Sequence, residues 1–121
     1  MHYRKTVVWT RAMDVAREIY RIVPLLPREE AYGIRSQITR AAVSVPSNIA
    51  EGWTRESWRE KLQFLAIAQG SLAELETQLT LCEQIGWFPP EKTSRIRTSV
   101  DEVSRMLTAL RRRNRKTETS G

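Results

Sequence analysis

The sequence predicts an all-α protein: an up-down-up-down antiparallel four-helix bundle whose second helix bends near Pro46. Three observations predict it. Four stretches carry apolar residues at alternating steps of three and four, the spacing that lines one face of a helix. Prolines at 24, 27, 89 and 90 and glycines at 52 and 86 stand between those stretches, where a chain has to turn. No stretch alternates apolar and polar residues as a half-buried strand does, and no internal repeat competes with the helical reading. A chain of 121 residues fits one domain, large enough to bury roughly two thirds of the surface that its unfolded form exposes.

The first seven residues lack helical spacing and are expected to be a loose N-terminal segment, with the bundle spanning residues 8–114 and a flexible basic and polar tail over 115–121. The first stripe is Val8, Ala12, Val15, Ile19 and Ile22. It ends before Pro24, because a proline pushes the preceding residue out of helical geometry. Pro27 suits the first position of a second helix, with Glu29 and Glu30 in a first turn where the helix dipole favours negative charge.

The stripe Ile34, Ile38, Ala41, Val45 and Ile49 follows, and the small residues Ala41, Ala42 and Ser44 allow another helix to come close. Pro46 interrupts the backbone hydrogen bonding at a cost of about 3 kcal/mol. The apolar register continues through Ile49, so a bend is favoured over a break, with the Ser44 and Ser47 hydroxyls placed to occupy the freed backbone groups. Gly52 is expected to close the helix as a left-handed cap.

Ser57-Trp58-Arg59-Glu60 reads as a capping box opening the third helix. Leu65, Ala68, Leu72, Leu75, Leu79 and Cys82 give it the 3.5-residue period of bundles, and Gly86 ends it. After Trp87-Phe88-Pro89-Pro90, the stripe Ile96, Val100, Val103, Leu107 and Leu110 marks the fourth helix, which runs into Arg111-Arg112-Arg113-Asn114-Arg115-Lys116.

Charge is unevenly placed. Residues 1–88 hold 11 Lys/Arg against 10 Asp/Glu, whereas residues 89–121 hold 9 against 4, so five of the six net positive charges belong to the last quarter. A clustered positive end attracts phosphates or acidic partners, and it also serves solubility.

Catalytic inventories are thin. The single histidine, His2, allows neither a Ser-His-Asp arrangement nor a two-histidine metal site, and there is no glycine-rich phosphate loop. Cys82 lies on the apolar stripe of the third helix, where a cysteine packs as a small apolar filler. The expectation is a non-enzymatic, soluble, cytoplasmic protein without cofactor or metal.

At Ala41-Ala42-Val43-Ser44-Val45-Pro46-Ser47-Asn48-Ile49-Ala50-Glu51-Gly52 the chain closely resembles the bacterial four-helix-bundle proteins of the 23S rRNA intervening sequence, also known as S23-type ribosomal proteins. Flanking residues carry the same resemblance, among them Trp9, Ala12, Ile19-Tyr20, Tyr32-Gly33-Ile34 and Arg40 upstream, and Arg55, Glu60, Phe64-Leu65, Gly70-Ser71-Leu72, Glu74-Leu75-Glu76-Thr77-Gln78-Leu79 and Gly86 downstream. The resemblance covers roughly residues 8–88. It implies a left-handed bundle that assembles as a homopentamer, an accessory role beside mobile or inserted elements, and, by analogy with a related retroelement protein, a reverse transcriptase as one kind of partner. It implies no catalytic residues, and it does not extend to the arginine cluster.

Three groups of residues stand out, together with two tryptophans. Arg105, Arg111, Arg112, Arg113, Arg115 and Lys116 are candidates for contacts with RNA or DNA phosphates. Cations at a helix C-terminus also complement its dipole, by roughly 0.3–1 kcal/mol each. Asn48 and Glu51 are candidates for hydrogen bonds across a helix or subunit seam that cap backbone groups freed by Pro46, and Arg40 reaches Glu51 only across a bend or from a neighbouring chain. Leu62, Phe64, Ile67 and Leu81 fall beside or opposite the main stripe of the third helix and read as surplus apolar surface for a subunit interface. Trp53 and Trp87 sit at turns, where aromatic residues either plug a bundle end or anchor a partner. Two functions follow: an oligomeric adaptor that holds RNA or DNA, or a protein-interaction scaffold for an element-encoded enzyme such as a reverse transcriptase.

Overall fold

The computed structural model describes the backbone of residues 2–120 and the side chains of residues 2–115. Four helices make up the fold: α1 (Val7–Ile22), α2 (Ile34–Thr54), α3 (Trp58–Ile85) and α4 (Pro90–Ser120). No strand occurs among the described residues. Consecutive helices pack on one another, and α1 also packs on α4, which closes the four into an up-down-up-down bundle. The stripes identified in the sequence meet along its axis. Ile19, Ile38, Ile49, Leu75, Leu79 and Leu107 are among the largest side chains wholly removed from solvent.

The start of the chain is tied down. Over residues 1–7, where the sequence suggests a loose segment, Tyr3–Lys5 form a 3-10 turn. The Thr6 hydroxyl donates to the Tyr3 carbonyl at 2.7 Å and accepts the Trp9 amide N–H at 3.3 Å, so Thr6 caps α1 and starts it at Val7. The Tyr3 ring meets Trp9 edge-on, with centroids 5.3 Å apart. The expected tail over 115–121 lies, from Lys116 onward, outside the described side chains.

Three local expectations are corrected. Pro27 does not begin α2: it precedes a separate 3-10 turn, Arg28–Glu30, and α2 starts at Ile34. Gly33, at φ −102° and ψ −118°, takes the chain off the helical path between them. Glu30 still serves the helix N-terminus, because its carboxylate accepts the Ile34 N–H at 3.3 Å.

Gly52 is not a left-handed cap, since α2 continues through it to Thr54. Its lack of a side chain serves close packing instead. A Cβ there would sit 3.1 Å from Phe64 Cβ and 3.3 Å from the Lys61 carbonyl oxygen, so the glycine sets how near α2 and α3 approach.

The third correction concerns Pro46. The helix passes through it unbroken, but the Ser44 and Ser47 hydroxyls are not what accommodates it. Ser44 Oγ instead lies 2.8 Å from Ser71 Oγ across the α2–α3 seam.

The third helix follows expectation closely. Ser57 Oγ accepts the Glu60 N–H at 3.2 Å at its start. At its end Gly86 adopts φ 95°, while the Gly86 N–H bonds the Glu83 carbonyl and the Trp87 N–H bonds the Cys82 carbonyl at 2.9 Å. That pairing satisfies carbonyls that the last helical turn leaves open.

Candidate nucleic-acid interface

Antiparallel topology brings three parts of the chain to one end of the bundle: the N-terminal segment, the turn between α2 and α3, and the last described turns of α4. Trp53, Trp58, Lys61, Arg113 and Asn114 meet there around a cleft of about 270 Å³. Trp53 is half-buried and Trp58 is 40% exposed. Lys61 bridges them, its Nζ donating to the Trp53 carbonyl at 3.1 Å and lying 5.7 Å from the centre of the Trp58 ring. Asn114 is buried and donates one amide N–H to the Leu110 carbonyl at 2.8 Å.

The arginines differ in exposure. Arg111 is held by the protein itself: its guanidinium donates to Gln69 Oε1 at 2.7 Å, and Gln69 Nε2 donates in turn to Thr108 Oγ1 at 2.7 Å, locking α4 to α3. Its place beside the buried stripe explains this, because a long side chain there reaches the neighbouring helix before it reaches solvent. Arg105, Arg112, Arg113 and Arg115 are exposed. A helix turns by about 100° per residue, so consecutive arginines leave it in different directions and form a fan, not a single line of charge. Lys116 lies outside the described side chains.

The other candidates scatter. Asn48 donates to the Ser44 carbonyl at 2.8 Å and to Ser44 Oγ at 2.9 Å, so it joins the Ser44–Ser71 contact across the α2–α3 seam. Its bonds do not reach the carbonyl that Pro46 leaves open, which belongs to Ala42. Glu51 is exposed and pairs with Arg55 one turn on, at 3.3 Å. Arg40 is exposed on the outer side of α2 and does not pair with Glu51 within the chain.

Ile67 and Leu81 are 50% and 45% exposed on α3, and Leu62 is half-buried. Phe64 is committed within the chain: it packs beside Gly52, with the Arg55 guanidinium 4.7 Å above its ring. Trp87 is partly buried against the core at the opposite end from Trp53. Cys82 is wholly buried, and burial, with Glu30 and Glu83 adding, raises its thiol from 9.0 to about 11, so it stays a protonated filler.

Two contributors escape a reading by residue type alone. Asn114 continues the Leu107–Leu110 stripe by a step of four, and a polar residue on an apolar stripe is the available signal. Lys61 carries no such signal, because only the folded turn sets it between two tryptophans.

Among the described residues, no group of three or more His, Cys, Asp or Glu is arranged to hold a metal ion, and no helix is long and apolar enough to cross a membrane.

Comparison with known proteins agrees with this architecture. A crystal structure of a protein of unknown function from the S23 ribosomal protein family of Bacteroides thetaiotaomicron VPI-5482 superposes with a TM-score of 0.80 at 24% identity, over 87% of this chain and 98% of that one. This likeness shows the fold. No curated protein sequence matches the chain. The family model for the 23S rRNA-intervening sequence protein matches residues 4–109, nearly the whole bundle. The chain therefore belongs to the family of 23S rRNA-intervening sequence proteins.

Proposed function

We propose that this protein is a non-enzymatic, homo-oligomeric adaptor that binds RNA or DNA through the basic end of α4. One observation carries the reading: Arg105, Arg112, Arg113 and Arg115 are exposed on the last described turns of a helix whose neighbouring cleft offers, among the described residues, tryptophan and lysine and no carboxylate. Four cations on so few turns exceed what a helix dipole needs, and phosphate is the anion that such a fan fits. Contacts of this kind position a nucleic acid without reading its sequence. The family's designation, which names a ribosomal RNA intervening sequence, favours RNA.

Subunits associate through the apolar residues left outside, Ile67 and Leu81 on α3, in a pentamer as the family resemblance implies. Repetition of the basic end around a ring then raises avidity without any new contact.

The test is an anisotropy titration of a structured RNA at two salt concentrations. Wild-type protein binds at low salt and weakens steeply as salt rises. Changing Arg112, Arg113 and Arg115 to Gln lowers the slope of log K against log salt by roughly 0.7–0.9 for each phosphate that is no longer neutralised. Absence of low-salt binding, or an unchanged slope, rejects the proposal.

A second reading, a scaffold for an element-encoded enzyme such as a reverse transcriptase, draws support from a different place. The groove between α1 and α2, of about 520 Å³, is lined by Trp9, Met13, Tyr20, Val43 and Pro46 among others and is largely apolar. A protein held there stays bound at high salt.

A further inference from the structure

We infer that the outer face of α3 seats in the groove between α1 and α2 of a second copy of this chain, so that copies join head to tail, ridge into groove. The inference rests on the homo-oligomeric reading above and names the two surfaces that meet.

Three observations carry it. The first is Gly70. It lies in the middle of α3 on an exposed position, and a Cβ there would have no neighbour within 4 Å. Glycine weakens a helix interior, and nothing among the described residues needs the space that this one leaves. Gly52 differs, because its missing side chain answers to α3. The space over Gly70 admits a surface from outside the chain.

The second is the face around that glycine. Ile67, Leu81 and Ile85 are 50%, 45% and 50% exposed, and Glu74 is the one charged residue among the exposed positions from Gln63 to Ile85. A helix that is apolar on its outer side as well as its inner one is a helix covered on both. Beside Glu74 lies Gln78, only 7% exposed. Its Nε2 donates to Glu74 Oε1 at 3.4 Å, and its Oε1 accepts no hydrogen bond among the described residues. The face therefore lacks a donor as well as a cover.

The third is that the same chain carries the complement. The groove of about 520 Å³ between α1 and α2 is lined by the buried Ala16 and Pro46 and by the exposed Tyr20 and Val43. Tyr20 and Val43 also line an adjoining hollow, where Arg40 is exposed and makes no ion pair among the described residues. Along α2 the two hollows run from Ser36 to Ala50, about 21 Å at ~1.5 Å per residue, and α3 from Ile67 to Leu81 has the same length. Laid together in either direction, these segments bring Glu74 level with Val43, about one turn from Arg40. A guanidinium there has donors for the Glu74 carboxylate and for the Gln78 oxygen. Packing α3 on α3 about a two-fold axis is the poorer use of the ridge, because Glu74, at its midpoint, would face its own copy in an apolar seam.

The test measures mass by size-exclusion chromatography with light scattering on full-length protein, and far-UV circular dichroism checks that each variant is folded. Gly70→Trp blocks the ridge, and Ser47→Trp, at an exposed position lining the groove, blocks the groove. Wild-type protein is expected as an oligomer and each variant alone as a folded monomer. Their equimolar mixture is expected as a one-to-one dimer, because one intact ridge then meets one intact groove. Arg40→Glu and Glu74→Arg should each raise the concentration at which the assembly dissociates by about tenfold, and the double exchange should restore it. An oligomer that both tryptophan variants leave intact, or a mixture of the two that stays monomeric, overturns the ridge-and-groove contact while the oligomeric reading stands. Loss of mass in Gly70→Trp but not in Ser47→Trp assigns α3 to a two-fold pairing and overturns the groove as its seat, leaving that groove to another protein. A monomeric wild type overturns both readings together.

Discussion

The two ends of this bundle are built from similar residues and finished in opposite ways. At the end formed by the α3–α4 connection, Phe88 is 1% exposed and sits over the core as a plug. Gly86 turns the chain so that its amide and those of Trp87 and Phe88 return to carbonyls of the last α3 turn. The polar groups there satisfy one another. Glu83 accepts from Thr93 Oγ1 at 3.0 Å and from Arg97 Nε at 2.8 Å, and Arg97 also donates to Thr80 Oγ1 at 2.8 Å.

At the other end the α2–α3 turn carries Trp53 and Trp58, yet a cleft remains, a tryptophan is exposed, and the wall of that cleft holds, among the described residues, cations and no carboxylate. The difference lies in the connections. After α3 the chain passes over the bundle end with an aromatic pointing inward. Between α2 and α3 a tight turn leaves the end uncovered, and α4 continues past it with its arginines. One end covers the core with the Phe88 ring, and the other leaves the Trp58 indole partly in water beside a cleft.

The largest break in this contrast comes from Phe88→Ala. It empties a fully buried site at the sealed end and is expected to cost about 3–5 kcal/mol, read as a lower midpoint in urea unfolding at unchanged slope. A smaller decrease follows Arg97→Met. It leaves the Glu83 carboxylate, 17% exposed, with only the Thr93 hydroxyl, and about 1–2 kcal/mol is expected from the same measurement. The smallest effect sharpens the comparison. Trp58→Ala at the open end removes the largest type of side chain and is expected to change stability by no more than about 0.5 kcal/mol, because its ring supports so little of the core. A cost above about 2 kcal/mol would place Trp58 with Phe88 as a plug.

Much of the fold is legible in the sequence because helical periodicity is a local property. The four stripes, the Ser57 cap and the Gly86 stop each follow from residues within a turn of one another. Gly52 and Pro27 mislead for the complementary reason. A glycine after an apolar stripe reads as a cap, but here its missing Cβ answers to Phe64 and Lys61 on another helix. Pro27 has the right chemistry for a helix start, but Gly33 diverts the chain after one 3-10 turn. Arg111 and Arg112 are adjacent and chemically identical, and only the position of α3 commits the first to Gln69 and leaves the second exposed.

What the sequence by itself determined is the set of four amphipathic rods, their antiparallel order and the gathering of positive charge in the last of them, since periodicity, short connections and composition need no knowledge of distant neighbours. The tertiary structure alone decided which aromatics became plugs, which arginine was consumed by a neighbouring helix, and that Lys61 and Asn114 would meet at the edge of a cleft. Those outcomes depend on contacts between residues far apart in the chain, whose geometry is set only when the helices pack.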